Sequence, residues 1–194
     1  MSGLRERKKA RTRRELAEAA RSLFHSRGYE ETTVDDIAEV VGVSSRTFFR
    51  YFDSKEAVLF AGWRDQLEEL TDFLRARPAD EPLIDSVKAM AMVMASTIEA
   101  DRDEQLFVKE IVKSSPSAGQ YEAQVLLPTY REAFVGVALE RAGTDDDLKP
   151  ALASAVGVTA MHEAKRRWIE DPSQSLIELT TASFQALEEL ILGT

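Results

Sequence analysis

The sequence predicts an all-α protein of about nine helices, and three observations lead to that prediction. Apolar residues recur at spacings of three and four along most of the chain, which is the period of one face of an α-helix. Residues that cap helices precede these stretches, and glycine or proline follows them. No stretch keeps the apolar–polar alternation of a half-buried strand. We therefore expect helices throughout and no sheet.

The first predicted helix begins near Arg11 and ends at Gly28. Its apolar face consists of Leu16, Ala20, Leu23 and Phe24. These positions follow the spacing of a buried helical stripe, so we expect this helix to pack on the elements that follow it.

The second and third predicted helices are short and are joined by a tight turn. Thr33 can cap the second helix, and Gly42 supplies the left-handed backbone on which a helix ends. Ser44 or Ser45 caps the third helix, which reaches Phe52. Two short helices around a glycine turn make a helix-turn-helix, and its second helix fits the major groove of DNA. The stretch 32–56 therefore predicts a DNA-binding protein.

Six more helices are expected after the turn. Asp53 and Glu56 form a capping pair for the fourth, which ends at Arg77–Pro78. The others are predicted from Pro82 to Ile98, from Asp101 to Lys113, from Tyr121 to Ala142, from a cap at Thr144 and Asp147 to Glu170, and from Asp171–Pro172 onward. Segment 114–119 is predicted as a loop by its composition. Pro128 is expected to kink or break the seventh helix, because it cannot donate to the Gln124 carbonyl.

Charge is divided unevenly along the chain. The net charge is −9, yet residues 1–60 carry 12 basic and 10 acidic residues while the remainder carries 13 and 24. The local field rather than the total charge governs contact with phosphates. We therefore expect the N-terminal part to face DNA and the acidic remainder to face away.

The helix-turn-helix stretch resembles a known family. The shared residues stand in the same order and spacing as the signature of TetR-type transcriptional regulators, and they are Thr33, Ile37–Ala38, Gly42–Val43–Ser44, Thr47–Phe48, Tyr51–Phe52 and Lys55–Glu56. The resemblance covers the region from Arg11 to Trp63, and beyond it extends only to length and helicity. It implies a basic arm over 1–9, a DNA-binding domain over 10–70 that includes helix four, and a ligand-binding and dimerisation domain over 71–194. The family usually has tyrosine where this chain has Phe49, so the phosphate contact of that hydroxyl is not expected here.

Side-chain chemistry assigns roles within the motif. Arg46 is the expected base reader because its guanidinium matches the two acceptors of guanine. The residues expected to add hydroxyl contacts or to touch a thymine methyl are Ser44, Ser45, Thr47 and Phe49. The residues suited to phosphates are Thr33, Tyr51 and Lys55, with the basic segment Arg5–Arg14 along the backbone or in a minor groove. Alternatively, this segment is a disordered tail that only aids solubility. Arg50 remains ambiguous, and Phe48 and Phe52 are expected in the core.

A dimer is required for a palindromic operator, because one short helix reads only a few base pairs. Helices eight and nine are the expected homodimer interface. The eighth carries small residues that permit close approach, namely Ala151, Ala153, Ala155, Gly157, Ala160 and Ala164. Alternatively, both helices complete the core of one protomer. The resemblance favours the dimer.

The resemblance also implies a repressor that a small molecule releases from double-stranded operator DNA, with helix four as the lever. Candidate effector contacts are Met90, Met94, Phe107, Tyr121, Tyr130, Phe134, His162 and Trp168. Core packing is the alternative explanation for the aromatic and methionine side chains. His162 could instead form a hydrogen bond at the dimer seam. An apolar pocket would favour a lipophilic effector.

Other classes of function find little support. The chain has no cysteine, two histidines and none of the motifs of metalloproteases, serine hydrolases or phosphate-binding loops. We expect no catalytic residues, no metal site and no cofactor. With no membrane span and no signal segment, the expected location is cytoplasmic. The alternative function is an architectural or protein-binding helical protein without ligand control.

Overall fold

The computed structural model describes residues 2–143 and 145–192, and the side chains of residues 7–143 and 145–190. The described residues form helices and connections without a strand, which confirms the all-α prediction. The helices are α1 (Ser2–Arg27), α2 (Val34–Val41), α3 (Ser45–Phe48), α4 (Lys55–Leu59), α5 (Trp63–Arg75), α6 (Leu83–Ala100), α7 (Arg102–Ser114), α8 (Pro116–Tyr121), a π-helical turn (Glu122–Leu126), α9 (Leu127–Ala142), α10 (Leu148–Glu170) and α11 (Leu176–Leu192). None of the helices in the described ranges is long and apolar enough to cross a bilayer.

Several helix boundaries differ from those predicted. The fourth predicted helix is two helices, α4 and α5, and Ser54 rather than Asp53 caps α4 by accepting a hydrogen bond from the Ala57 N–H at 3.1 Å. The predicted loop 114–119 contains most of α8, because Pro116 suits the first turn of a helix. The last helix begins at Leu176 rather than at Asp171–Pro172. The predicted cap at Thr144 lies outside the described residues.

The break expected at Pro128 takes the form of the π-helical turn. This turn covers Glu122–Leu126, and α9 begins immediately afterwards with Pro128 in its first turn. Proline has no N–H to donate and its ring would collide with a carbonyl one turn earlier. Widening the preceding turn therefore lets the chain continue through Pro128.

The chain divides into two compact units. The first unit consists of Met1–Trp63 and Glu110–Glu122, and the second of Arg64–Lys109 and Ala123–Thr194. The first unit thus holds the helix-turn-helix together with the end of α7 and with α8, which packs against α4. Burial of Leu16, Ala20, Leu23 and Phe24 confirms the predicted inner face of α1.

The core of the second unit contains three apolar clusters. Cluster A, which lies between α5, α6 and α9, consists of Leu70, Leu74, Met90, Phe134 and Val137. Cluster B, which lies between α6, α10 and α11, consists of Ala95, Ile98, Met161, Ala164, Trp168 and Leu176. Cluster C joins Val87, Ala91, Ala160 and Phe184. Met94 packs against both cluster A and cluster B.

Candidate nucleic-acid interface

The first helix of the motif, α2, begins with a complete capping box. Thr33 has an extended backbone, its hydroxyl accepts from the Asp36 N–H at 3.2 Å, and its own N–H donates to the Asp36 carboxylate at 2.8 Å. This reciprocal pair satisfies donors that a helix start leaves without partners. It also lowers the pKa of Asp36, chiefly through the hydrogen bond from the Thr33 side chain. The predicted cap is confirmed, and both donors of Thr33 are engaged within the protein.

The turn between α2 and α3 is built on Gly42. Its backbone is left-handed, with φ of 72°, and its N–H donates to the Glu39 carbonyl at 3.0 Å. The Val43 N–H then donates to the Ala38 carbonyl at 2.9 Å. These bonds close the end of α2 as expected for a glycine stop. Three residues, 42–44, therefore join α2 to α3, which starts at Ser45.

The second helix of the motif, α3, is shorter than predicted. Ser44 is its cap and accepts from the Thr47 N–H at 3.2 Å, but regular α-helix ends at Phe48. Tighter bonds continue the turn, from the Arg50 N–H to Thr47 at 3.2 Å and from the Tyr51 N–H to Phe48 at 2.8 Å. A tighter helical turn with bonds between residues three apart therefore continues α3 toward Phe52.

Two buried aromatic residues, Phe48 and Phe52, pack α3 and its extension against the rest of the first unit. Phe48 is fully buried and Phe52 is 3% exposed, and their ring centroids lie 5.6 Å apart. Both were expected in the core, and their burial confirms it. The Arg13 guanidinium of α1 lies 4.8 Å from the centre of the Phe52 ring and donates to the Ala61 carbonyl at 3.0 Å. The element is thus held rigidly on the rest of the first unit.

The outer face of the same element carries Arg46, Phe49 and Arg50. All three are exposed, and Phe49 retains 53% of its surface. The Phe49 ring meets the buried Phe48 ring edge-on at 5.5 Å, which fixes its direction. Within the described residues, Arg46 forms no hydrogen bond or ion pair. A rigid element that presents a free guanidinium beside an apolar ring suits contact with base edges.

Other predicted contacts are already engaged within the first unit. The Ser45 hydroxyl donates to the Asp35 carboxylate, and the Ser44 and Thr47 hydroxyls lie 3.1 Å apart. Arg50 donates to the Tyr51 hydroxyl at 3.3 Å, with its guanidinium 5.1 Å from the Tyr51 ring centre. These side chains lie together as predicted, but each has an internal partner in the absence of DNA.

Lys55 is also held internally. Its ammonium donates to the Tyr29 carbonyl at 2.8 Å and lies 4.1 Å from the centre of the Tyr29 ring. The Tyr29 hydroxyl donates to Glu56 at 3.1 Å. Burial, reinforced by Glu56, raises the pKa of Tyr29 above its ordinary range. Lys55 therefore stabilises the corner between α1 and α4 in this conformation.

Glu56 is a structural centre that the sequence did not reveal. Burial would raise its pKa, but hydrogen bonds from its own backbone N–H and from Ser117, Ser54 and Tyr29 outweigh burial and lower it. Ser117 belongs to α8 and follows Glu56 by 61 positions in the sequence. Alongside it, the Tyr121 ring stacks on Phe60 at 5.8 Å. Only the folded chain shows that α8 belongs to the unit that contains the helix-turn-helix.

The predicted basic arm is helical, since α1 continues back to Ser2. Lys8 and Lys9 are exposed, and the side chains of residues 1–6 lie outside the described ones. Arg11 pairs with Glu15 at 3.4 Å on the exposed face of α1. The described part of the arm therefore presents its cations along a helix.

The predicted effector contacts fall into separate groups. Met90 and Phe134 belong to cluster A, with Met94 and Tyr130 packed against it, and Trp168 belongs to cluster B. Burial raises the pKa of Tyr130 to about 12, and its hydroxyl donates to Gln66 at 3.0 Å. The remaining three do not join these clusters: Phe107 is half-buried on α7, Tyr121 belongs to the first unit, and His162 is exposed on α10.

Comparison with known proteins identifies related regulators. The family described as "Bacterial regulatory proteins, tetR family" matches residues 16–61. The HTH-type transcriptional regulator TcmR of Streptomyces glaucescens is 33% identical over 198 residues, covering 97% of this chain and 86% of its own. The putative mycofactocin biosynthesis transcriptional regulator MftR of Mycobacterium tuberculosis is 25% identical, and the match covers 93% of this chain and 91% of MftR. The structure of Thermus thermophilus FadR, a TetR-family repressor in complex with lauroyl-CoA, matches with a TM-score of 0.60 at 25% identity. The match covers 91% of this chain and 93% of the FadR chain.

Proposed function

Because this chain belongs to the TetR family of bacterial transcriptional regulators, we propose that it is a dimeric repressor that a small lipophilic effector releases from a palindromic operator. The observation that carries the proposal is the outer face of α3 and its extension, where Arg46 and Phe49 are exposed on a buried aromatic base. Arg46 would read guanine, and Phe49 would contact a thymine methyl.

Backbone contacts would come from residues that surround this face. Tyr51 and Arg50 form a pair that can turn toward a phosphate, and Lys55 can exchange its Tyr29 carbonyl for a phosphate oxygen. The Thr33 and Ser44 caps stand at the starts of α2 and α3, where partial positive charge attracts phosphates. These contacts would set the register on DNA, while Arg46 and Phe49 would set the sequence.

An exposed apolar stripe on α10 and α11 supports a dimer. It consists of Leu148, Leu152, Ala155 and Val158 on α10 and of Ala182, Ala186 and Leu190 on α11. Leu148, Leu152 and Leu190 retain 61%, 57% and 83% of their surface, which is unusual for leucine in a protomer without a partner. His162 continues the stripe on α10. We assign the stripe to the homodimer interface.

Three of the small residues on α10 serve the protomer's own packing instead. Gly157, Ala160 and Ala164 are buried within the second unit, and a Cβ on Gly157 would collide with the Val87 side chain. Close helix approach through these residues therefore occurs within one chain. The stripe, rather than Gly157, Ala160 and Ala164, would supply the dimer contact.

The effector would lie in the second unit, among clusters A and B. Methionine adapts to irregular apolar ligands, and Met90, Met94 and Met161 all lie in or against these clusters. The relative solved with lauroyl-CoA supports a lipophilic effector. Such a ligand releases DNA only if it binds one arrangement of the dimer better than the other. Operator DNA lies in the bacterial cytoplasm, which agrees with the expected location.

A gel shift with the DNA upstream of the protein's own gene tests the proposal. We expect salt-sensitive retardation that excess unrelated DNA does not abolish. The Arg46→Ala variant should lose about 1–3 kcal/mol of specific binding and keep its nonspecific binding. An architectural protein would instead bind all duplexes alike, and the Arg46→Ala variant would then discriminate no worse than the wild type.

A further inference from the structure

Three buried side-chain atoms lack a hydrogen-bond partner among the described residues: Arg141 Nε, Ser154 Oγ and Trp168 Nε1. All three belong to the second unit. The other nitrogens of Arg141 donate to Ser86 at 2.8 Å and to the Pro78 carbonyl at 2.7 Å, and a serine hydroxyl can rotate toward a new acceptor. The indole N–H of Trp168 has neither option, because it is a single donor with one direction.

The surroundings of Trp168 make its unpaired N–H unusual. The side chain is fully buried in cluster B, and the other members of that cluster are apolar. Buried indole groups usually find an acceptor, and an unpaired one carries the full desolvation penalty of the N–H. A buried water needs roughly two to four polar partners. The buried hydroxyl beside cluster B, that of Thr180, already donates to the Leu176 carbonyl at 2.7 Å and lies 3.7 Å from the Met161 sulfur.

The indole ring is held in place from one side. The Arg102 guanidinium lies 5.2 Å from the ring centre. Arg102 in turn donates to Glu99 at 3.2 Å and to the Gln174 carbonyl at 3.4 Å. Glu99 also accepts from the Leu176 N–H at 3.2 Å, so the arrangement ties the end of α6 to the start of α11. Arg102, itself held by these bonds, therefore packs against the indole ring.

The side chains beside Trp168 can yield space to a ligand. Met161 belongs to cluster B, and Met94 packs against both clusters. Methionine is unbranched and changes shape readily, so these residues can open a path without a large permanent cavity. A ligand lying along Met94 would reach from Phe134 in cluster A to Trp168 in cluster B.

We infer that Trp168 Nε1–H is the polar anchor for a neutral lipophilic ligand that carries a carbonyl oxygen, such as a ketone, ester or thioester. This inference rests on the proposed function and specifies the chemical class of the effector. The ligand's oxygen accepts from the indole, and its apolar body packs on Met94 and Met161. A carboxylate fits poorly because Arg102 is already paired with Glu99, and a buried charge without a partner is costly.

Nuclear magnetic resonance of the indole groups tests this site without DNA. The chain has two tryptophans, so protein made with isotope-labelled tryptophan gives two indole correlations, and a Trp63→Phe variant assigns them. The probe is methyl nonyl ketone, with undecane as the matched ligand without an acceptor and undecanoate as the charged one. We expect the ketone to move the Trp168 indole proton downfield and to leave that of Trp63 in place. Undecane should produce no downfield shift.

A substitution measures the contribution of the hydrogen bond. Trp168→Phe keeps an aromatic ring and removes the donor, so it should raise the Kd for methyl nonyl ketone about two- to tenfold. The inference is overturned if the ketone leaves the Trp168 resonance unmoved, if undecanoate binds more tightly than the ketone, or if the unliganded indole shows magnetisation transfer from a buried water. Should Trp168→Phe not fold, the wild-type resonances decide the matter. A positive titration with no effect on operator binding would instead contradict the proposed function.

Discussion

Phe49 is the residue at which this chain departs from its family, and the structure gives that departure a physical meaning. Its ring is exposed over 53% of its surface and packs edge-on against the buried Phe48. Covering this ring with another apolar group would remove its surface from water, which is favourable. Under the proposed function, a thymine methyl in the major groove covers it.

Replacing thymine by deoxyuridine in the operator tests this contact, because deoxyuridine lacks only the methyl group. We expect one thymine in each half-site at which the replacement weakens wild-type binding by about 0.8 kcal/mol, the value of one buried methylene. The Phe49→Ala variant should bind the operator more weakly than the wild-type protein does. Its affinity should be the same for the thymine operator and for the deoxyuridine operator. Fluorescence anisotropy measures these affinities. If the wild-type protein binds every substituted operator as tightly as the unsubstituted one, thymine-methyl recognition is ruled out.

At the residue scale, the sequence predicts which side chains of the motif are buried and which are exposed, but not the hydrogen bonds that these side chains form. Burial of Phe48 and Phe52 and exposure of Arg46 followed from helical spacing. The engagement of Lys55 by Tyr29 did not, because that bond joins α4 to the loop after α1. The same limit applies to Glu56, whose partner Ser117 lies in α8. Contacts between distant parts of a chain leave no periodic signal in its sequence.

The turn of the helix-turn-helix depends on one glycine, and a matched pair of substitutions measures that dependence. Gly42 has φ of 72°, whereas Gly136 lies within α9 with open space where a Cβ would stand. Gly42→Ala should lower the free energy of unfolding by about 1–2 kcal/mol, since L-residues avoid this backbone. Gly136→Ala should raise it by about 0.4–1 kcal/mol. Urea denaturation measures both changes in the free energy of unfolding. Equal changes of the same sign would contradict the claim that the turn requires the left-handed backbone of Gly42.

A polar cluster joins the loop before α6 to α9 in the second unit. Arg77 and Ser86 donate to Glu81, and Arg141 donates to Ser86 and to the Pro78 carbonyl. Hydrogen bonds from Arg77 and Ser86 lower the pKa of Glu81 from 4.5 to about 2. A lowered carboxyl pKa stabilises the folded state above the unfolded pKa, and that stability is lost as the pH falls.

Glu81 should therefore make the second unit sensitive to acid between the two pKa values of 4.5 and about 2. The difference in Tm between the wild-type protein and Glu81→Gln should be largest near neutral pH and should shrink as the pH falls through this window. Glu140→Gln is the control, because Glu140 is 61% exposed and its pair with Arg75 contributes little. A wild-type advantage that stays constant with pH would show that ionised Glu81 does not stabilise the cluster.

At the scale of elements, several predicted caps and stops are confirmed, whereas the predicted cap at Asp53 is wrong because Ser54 takes that place. The Thr33 box, the Gly42 stop and the break before Pro128 all follow from neighbouring residues. Segment 114–119 was assigned to a loop, yet it forms most of α8 and packs on α4. Its serines and glycine suggested a turn, and tertiary packing overrode that local preference.

At the scale of the whole molecule, the apolar stripe on α10 and α11 should control both assembly and DNA binding. Leu152 lies in this stripe with 57% of its surface exposed. Leu152→Glu should convert the dimer to a monomer and abolish operator binding, because two recognition elements roughly 34 Å apart are needed for a palindrome.

Native mass spectrometry reports the assembly of this variant, and circular dichroism reports its folding. Leu127→Glu is the matched control, since Leu127 is 50% exposed on α9 in the second unit and lies outside the stripe. A Leu152→Glu protein that remains dimeric would place the interface elsewhere.

The division of charge fits the same picture. Most of the 24 acidic residues after position 60 belong to the second unit and would repel DNA from it, while the cations of α1 and α3 lie in the first. Under the proposed function, nonspecific contact with phosphates would therefore come mainly from the first unit. Specific recognition then depends on the few exposed side chains of α3 and its extension.

The most direct test of the central claim compares two duplexes of equal length and base composition, the operator and a shuffled sequence. Fluorescence anisotropy of the full-length protein should show the operator bound about a thousandfold or more tightly at physiological salt. Both affinities should fall as salt rises, because each involves phosphate contacts. Equal affinity for the two duplexes at every salt concentration would contradict the claim that this protein reads DNA sequence.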